Sequence, residues 1–417
     1  MSFSHSLKAI AKVLALSLFL AVAPSLLAQA APPKADIGTV VAGNGQFAFA
    51  LFQNLNADKD NKGKNIFVSP YSISTALAMT YLGSAGNTKT QMADTMRFTL
   101  PDDRLEAGFF SLLGQTKATP DKHYKLDVAN ALWGQQDYHF EADFTSAISK
   151  YFDGGFNNVN FVGFEAREAS RKTINTWVEK KTNDKIKDLI HPSDIDDLTR
   201  LILTNAIYFK GDWALKFKAT DTKNAPFKAS DGKTVTVPMM EQTEHFPFME
   251  SNELKMVELP YAGDDLSMLV LLPAGDIETF GAALTPEKLQ EYRKQMLPRK
   301  VELSLPRFKF ETRYMLKPVL AAMGMPDAFS ESRANFSPMT GKPALYITAV
   351  IHQAMIDVNE EGSEAAAATA VIMGTKSIEF KAEFRADKPF IFMIVHKPSG
   401  SILFMGRLSD PPPAAAN

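Results

Sequence analysis

Asn359-Glu360-Glu361-Gly362-Ser363-Glu364-Ala365-Ala366-Ala367-Ala368-Thr369-Ala370-Val371 admits two opposed readings. By intrinsic propensity Ser363 caps a helix whose body is an alanine run. The same residues also suit a strand that must slide between two strands already paired, because small side chains lower the steric barrier and no proline removes a ladder hydrogen bond. Alternation then puts Ser363, Ala365, Ala367, Thr369 and Val371 on one face, and Glu364, Ala366, Ala368 and Ala370 on the other. The segment directly follows residues 349–358, an apolar run with strand character, and precedes Ile372-Met373-Gly374-Thr375-Lys376-Ser377.

The rest of the chain is globular in composition. Of 417 residues, 45% are apolar and 22% charged, enough for a large core and too apolar for disorder as the dominant state. A formal charge of −2 leaves no electrostatic footprint for nucleic acid. The absence of cysteine excludes disulfides, thiolate nucleophiles, Cys-ligated metals and a lipid anchor on Cys.

Residues 1–30 read as a signal peptide. Lys8 and Lys12 precede an apolar run over residues 13–23, Pro24 breaks it, and Ala28-Gln29-Ala30 supplies small residues for cleavage. The run is about half of the ~20 residues a membrane-spanning helix needs, so export into the periplasm or the medium is expected, with no membrane association after cleavage. No Gly/Ser or Pro-rich linker interrupts residues 46–410, so 31–410 read as one domain, and 411–417 as a disordered Pro/Ala tail. The missing cysteines and short Ala-x-Ala signal favour a bacterial source.

Helical patterns crowd the first half. Ser69-Pro70 is a cap followed by proline at the first helical position, with Ile73, Leu77 and Tyr81 on one face and Gly83 and Gly86 as the stop. A second helix covers about 167–178, with Ile174, Trp177 and Val178 buried. Strands are expected at 201–209, 234–237, 267–272, 301–305, 349–358 and 390–395. The last of these forms a hairpin with 402–405 that is apolar on both faces and therefore covered by other layers. The class is α+β.

Asn205 and His352 interrupt apolar strands, so each needs a buried partner. On the residues alone they read as satisfied core polar groups rather than a catalytic or metal site. No HExxH, EF-hand, P-loop, G-x-S-x-G elbow or strand-linked G-x-G-x-x-G occurs. These absences leave a secreted hydrolase only as a triad assembled from distant segments. Lys180, Lys181, Lys185 and Lys187 alternate with Asp184 and Asp188 and read as a solvated helix face.

Four blocks carry a resemblance to the serpins, a family whose loop insertion is a standard instance of strand addition. They are Asn65-Ile66-Phe67-Val68-Ser69-Pro70-Tyr71-Ser72-Ile73 with Gly83 and Gly86; Leu203-Thr204-Asn205-Ala206-Ile207-Tyr208-Phe209-Lys210-Gly211-Asp212-Trp213; the hinge from Glu360 to Ala370; and Phe384-Arg385-Ala386-Asp387-Lys388-Pro389-Phe390-Ile391-Phe392. The resemblance implies three β-sheets, roughly eight or nine helices and an exposed reactive loop that a protease attacks as bait. The cut loop then inserts as a strand in the central sheet, carrying the acylated protease on the order of 50 Å for about fifteen residues at ~3.3 Å each. The inhibitor itself supplies no catalytic residue, and needs no metal or cofactor.

The family's spacing from Gly362 places the reactive bond at Lys376-Ser377. A lysine there suits trypsin-like serine proteases, whereas a bond after Met373 or Thr375 implies chymotrypsin-like or elastase-like targets. Small hinge residues are of the inhibitory type, with Ser363 standing where threonine is commoner. The alternatives are a non-inhibitory carrier or chaperone, and inhibition of papain-like cysteine proteases. The resemblance also assigns Ser69, Ser72, Asn205 and His352 to a cluster beneath the point where the central strands part, and Trp213, Arg307 and Glu360 to the place where the loop first inserts, with Glu360 and Arg307 in contact. The protein is expected to act as a monomer whose one partner is its target protease.

Overall fold

The computed structural model describes residues 34–119, 122–152, 155–343, 345–361 and 380–412. The leader assigned to residues 1–30, the hinge and reactive-bond positions over 362–379, and the tail from 413 lie outside the described residues.

The chain begins with α1 (Lys34–Ala57), β1 (Ile66–Val68), α2 (Pro70–Leu82), α3 (Gly86–Met96), α4 (Asp102–Thr116), β2 (Tyr124–Gln135), α5 (Ala142–Tyr151), β3 (Gly155–Val159) and α6 (Phe164–Lys181). Strands then dominate: β4 (Leu201–Gly211), β5 (Lys223–Lys228), β6 (Thr234–Glu250), β7 (Leu254–Pro260) and β8 (Leu266–Pro273). After α7 (Ile277–Ala283) and α8 (Pro286–Gln295) come β9 (Leu297–Pro306), β10 (Phe308–Met315), α9 (Lys317–Ala322), α10 (Ser337–Thr340) and β11 (Ala349–Val358). The C-terminal part adds β12 (Ala382–Arg385), β13 (Phe390–His396) and β14 (Ser401–Leu408).

The α+β class is as expected, and the described strands fall into two hydrogen-bonded sheets. A five-stranded central sheet runs β10-β11-β4-β2-β3, and a nine-stranded one runs β1-β14-β13-β8-β7-β6-β9-β12 with β5 on β6. The sequence reading expected three sheets. The difference arises at β6, a 17-residue strand whose first part pairs with β5, its middle with β9 and its end with β7. One uninterrupted strand therefore fuses what two shorter strands would keep apart. The described residues hold ten α-helical segments rather than eight or nine, the surplus being the short α9 and α10.

β13 and β14 are antiparallel, with Phe390 opposite Leu408, and every residue of both is buried. Their neighbours are β8 and β1. Phe67 of β1 stacks on Phe404 at 5.1 Å between centroids, and each buried aromatic of this kind contributes about 1.5–3 kcal/mol. Between the two sheets lies α2. Its Ser69 cap accepts the Ser72 amide and Pro70 opens the first turn, as the sequence suggests. The expected single stripe is too narrow, because residues 70–81 are all buried. The helix packs on β14, β2, β4 and α1 at once, so it has no solvent face.

Arg407 of β14 is fully buried. Its guanidinium donates to Asn56 Oδ1 at 2.6 Å and to the Lys64 carbonyl at 2.9 Å, with Glu278 at 3.8 Å. It ties the end of α1 to the second sheet.

Candidate strand-opening site

Strand register builds the polar cluster. His352 of β11 lies opposite Asn205 of β4, and Asn205 lies opposite Asn130 of β2. One row across the central sheet thus carries three polar side chains, all buried. The N-terminus of α2 closes over that row. The Ser69 amide donates to His352 Nε2 at 3.3 Å, which fixes the proton on Nδ1, where the ring meets Asn205 Oδ1. The Asn205 amide nitrogen donates to Ser72 Oγ at 2.6 Å and to Asn130 Oδ1. Ser72 Oγ donates to Asn130 Oδ1 at 3.0 Å, and Asn130 returns a bond to the Ser72 carbonyl at 3.2 Å. Ser69 Oγ donates to the Leu403 carbonyl of β14 at 2.8 Å.

These bonds join both sheets through one helix cap. Burial pushes the His352 pKa down to about 3, so the imidazole is neutral at ordinary pH and serves as a fixed donor and acceptor. The sequence reading named Ser69, Ser72, Asn205 and His352, and the structure brings all four together. It missed Asn130, whose signal was present: an amide inside the run Val128-Ala129-Asn130-Ala131-Leu132 is as conspicuous as Asn205 in β4.

A second group lies where the chain leaves β11. Trp213 Nε1 donates to the Asn359 carbonyl at 2.9 Å, and the Phe217 amide donates to the Glu360 carbonyl at 3.0 Å. Thr222 Oγ1 donates to Glu360 Oε1 at 2.7 Å, and Arg307 Nη1 lies 3.6 Å from the same oxygen. The Glu360 side chain is 10% exposed and that of Arg307 50%. Trp213 is itself held by Tyr261, stacked at 4.5 Å. Trp213, Arg307 and Glu360 are therefore brought together, and Thr222 and Phe217 join them without having been foreseen. Their contacts span more than a hundred residues of sequence, as Thr222 to Glu360 does, and no local pattern announces them.

Between the two groups, β11 bonds directly to β4 in parallel register from Ala349 opposite Ile202 to Ile356 opposite Phe209. A strand entering here from the end of β11 would run back antiparallel to both neighbours. Antiparallel pairing is slightly the more stable per residue, so one parallel ladder would be exchanged for two better ones.

The four lysines of the 180–187 segment are exposed, and Lys181 and Lys185 lie over the rings of Trp177 and Tyr208. Among the described residues no group of three or more His, Asp or Glu is placed to hold a metal ion, and no helix is long and apolar enough to cross a membrane.

Comparison with known proteins agrees with this architecture. The family profile described as Serpin (serine protease inhibitor) matches residues 42–411. A leukocyte elastase inhibitor of Bos taurus is 43% identical over 380 residues, covering 89% of this chain and 99% of the relative. An uncharacterized serpin-like protein of Thermococcus kodakarensis is 40% identical over 376 residues, covering 89% of this chain and 86% of the relative. Among solved structures, uncleaved ovalbumin superposes with a TM-score of 0.80 at 33% identity, covering 89% of this chain and all (100%) of that one. With its central sheet, hinge approach and sequence blocks in one order along one chain, this protein belongs to the serpin family.

Proposed function

We propose that the protein is a suicide-substrate inhibitor of serine proteases. The protease serine oxygen attacks the Lys376 carbonyl carbon, the Lys376-Ser377 amide breaks, and Ser377 leaves as an amine that takes up a proton. The ester left on Lys376 survives because the freed hinge inserts between β4 and β11 before water attacks it. The observation that carries the reading is the central sheet, where β11 bonds straight to β4 while the chain leaving β11 continues into the hinge, Glu360 to Ala370, rich in small residues. The inhibitor contributes no catalytic group; it stores free energy in a sheet that gains a strand after cleavage.

Lysine before the bond supports a trypsin-like target. A second reading, an elastase-like target with the bond after Met373 or Thr375, is supported by relatives named as leukocyte elastase inhibitors. Export follows from the leader over residues 1–30, ahead of a domain over 31–410. Its composition supports a bacterial producer, and the protein acts as a monomer.

The test incubates purified protein with trypsin, chymotrypsin, pancreatic elastase and papain, followed by denaturing gels and mass analysis of the released C-terminal fragment. A denaturant-stable complex with trypsin and a fragment beginning at Ser377 is expected. A fragment beginning at Gly374 or Lys376 with elastase would move the bond, and cleavage by every protease without any complex would favour a carrier or chaperone.

A further inference from the structure

We infer that Phe380, with Leu297 toward the same end of the β9–β12 pair, forms a second, non-covalent contact for the target protease on the leaving-group side of the reactive bond. This rests on the placement of that bond at Lys376-Ser377. Phe380 is 92% exposed, the most exposed large apolar side chain among the described residues. It stands three residues beyond Ser377, within about 10 Å of it even when the chain is fully extended. A protease gripping the bond therefore has this ring within reach.

The backbone behind the ring is anchored. Lys381 Nζ donates to Glu302 Oε1 at 2.8 Å, Ala382 pairs with Val301 in parallel register, and Phe384 is fully buried. Because β9 and β12 run parallel, residues 297–300 extend past the start of β12 on the side from which Phe380 departs. Leu297, 55% exposed, stands there over a cleft of about 360 Å³ that it shares with Phe248, Arg299 and Ala382. Two water-exposed apolar side chains thus flank the same strand end, next to the segment that a protease must hold. The partner that fits is a protease with an apolar rim on the primed side of its active site.

The contact acts on encounter rather than on the trap. Burying one phenylalanine ring is worth about a tenfold change in association. The test measures the second-order rate of covalent complex formation with trypsin, and the binding of trypsin whose catalytic serine is replaced by alanine, for wild type, Phe380→Ser, Phe380→Leu and Leu297→Ser. Both Ser variants are expected to associate about tenfold more slowly and to bind the inactive protease about tenfold more weakly, with unchanged Tm and stoichiometry. Phe380→Leu is expected to recover most of the loss. Unchanged rates and binding in Phe380→Ser, alongside normal complexes with wild type, overturn this inference alone. Absence of any wild-type complex with trypsin overturns it together with the trypsin-like reading and the placement of the bond at Lys376-Ser377.

Discussion

Lowering the pH from 7.5 to 5 weakens the closed central sheet, and His352 sets the size of the effect. Both ring nitrogens are committed, Nε2 to the Ser69 amide and Nδ1 to Asn205, so protonation must break the Ser69 bond inside a fully buried site. Burial holds the pKa down at about 3, whereas an imidazole released to water titrates near 6.5. A depressed folded-state pKa gives a contribution that is complete above the unfolded value and lost as the pH falls toward the folded one. At pH 5 the released ring is almost fully protonated and the buried ring is not, a difference of about 2 kcal/mol or a roughly 30-fold rise in the opened fraction. For a domain of this length the melting entropy is about 0.8 kcal/mol per kelvin, so the shift in Tm is about 2–3 °C. His396 is displaced in the same direction by burial, so the assay must isolate His352. Thermal midpoints and heat-induced oligomerisation rates are measured at pH 7.5 and 5 for wild type and His352→Gln, with histidine Cε1 deuterium exchange reporting the pKa directly. The variant is expected to be less stable at pH 7.5 and to show a shallower pH dependence. Equal pH dependence in both proteins, or exchange giving His352 an ordinary pKa, would show that His352 does not link pH to the central sheet.

Three further substitutions probe the same scaffold. Glu360→Lys removes the acceptor of Thr222 and sets like charges against Arg307; the half-exposed ion pair is worth at most about 1 kcal/mol, the partly buried hydrogen bond to a charged acceptor more, for a total of about 2–3 kcal/mol. Oligomers on native gels after mild heating are the expected readout, and a variant that stays monomeric contradicts it. Asn130→Ala strips bonds from Asn205 and Ser72 and is expected to cost about 2 kcal/mol in urea unfolding. A midpoint within error of wild type would mean the cluster is redundant. Arg407→Met takes the donor from Asn56 Oδ1 and from the Lys64 carbonyl, for a loss of about 3 kcal/mol seen as a lower Tm; an unchanged Tm would show that packing alone holds α1 to β14.

Much of this was legible where burial is two-sided. The β13–β14 hairpin reads as apolar on both faces because covering layers leave no polar side, and α2 announces itself through Ser69-Pro70. β2 was not anticipated, since Tyr124-Lys125-Leu126-Asp127 begins at a half-exposed end and only later becomes a buried central strand. The joining of β6 into one long strand is equally hidden, because its partners change along its length. Within the site, Asn205 and His352 stood out as polar residues in apolar runs. Arg407 drew no attention, although a guanidinium in a fully buried strand is the same kind of anomaly. Partners such as Thr222 are supplied by tertiary folding and leave no trace in the local sequence.

On the proposed mechanism the cut loop becomes a strand between β4 and β11. Glu311, Met355, Tyr208 and Asp127 lie in one row across β10, β11, β4 and β2, so the backbones of Glu311 and Asp127 are three strand spacings apart, about 14 Å. The chain contains no cysteine, so Glu311→Cys and Asp127→Cys can carry spin labels without background. Pulsed electron-spin distance measurement before and after cleavage by trypsin is the direct test. An increase of about 5 Å, one added strand, is expected; an unchanged distance in fully cleaved protein would exclude insertion between β4 and β11.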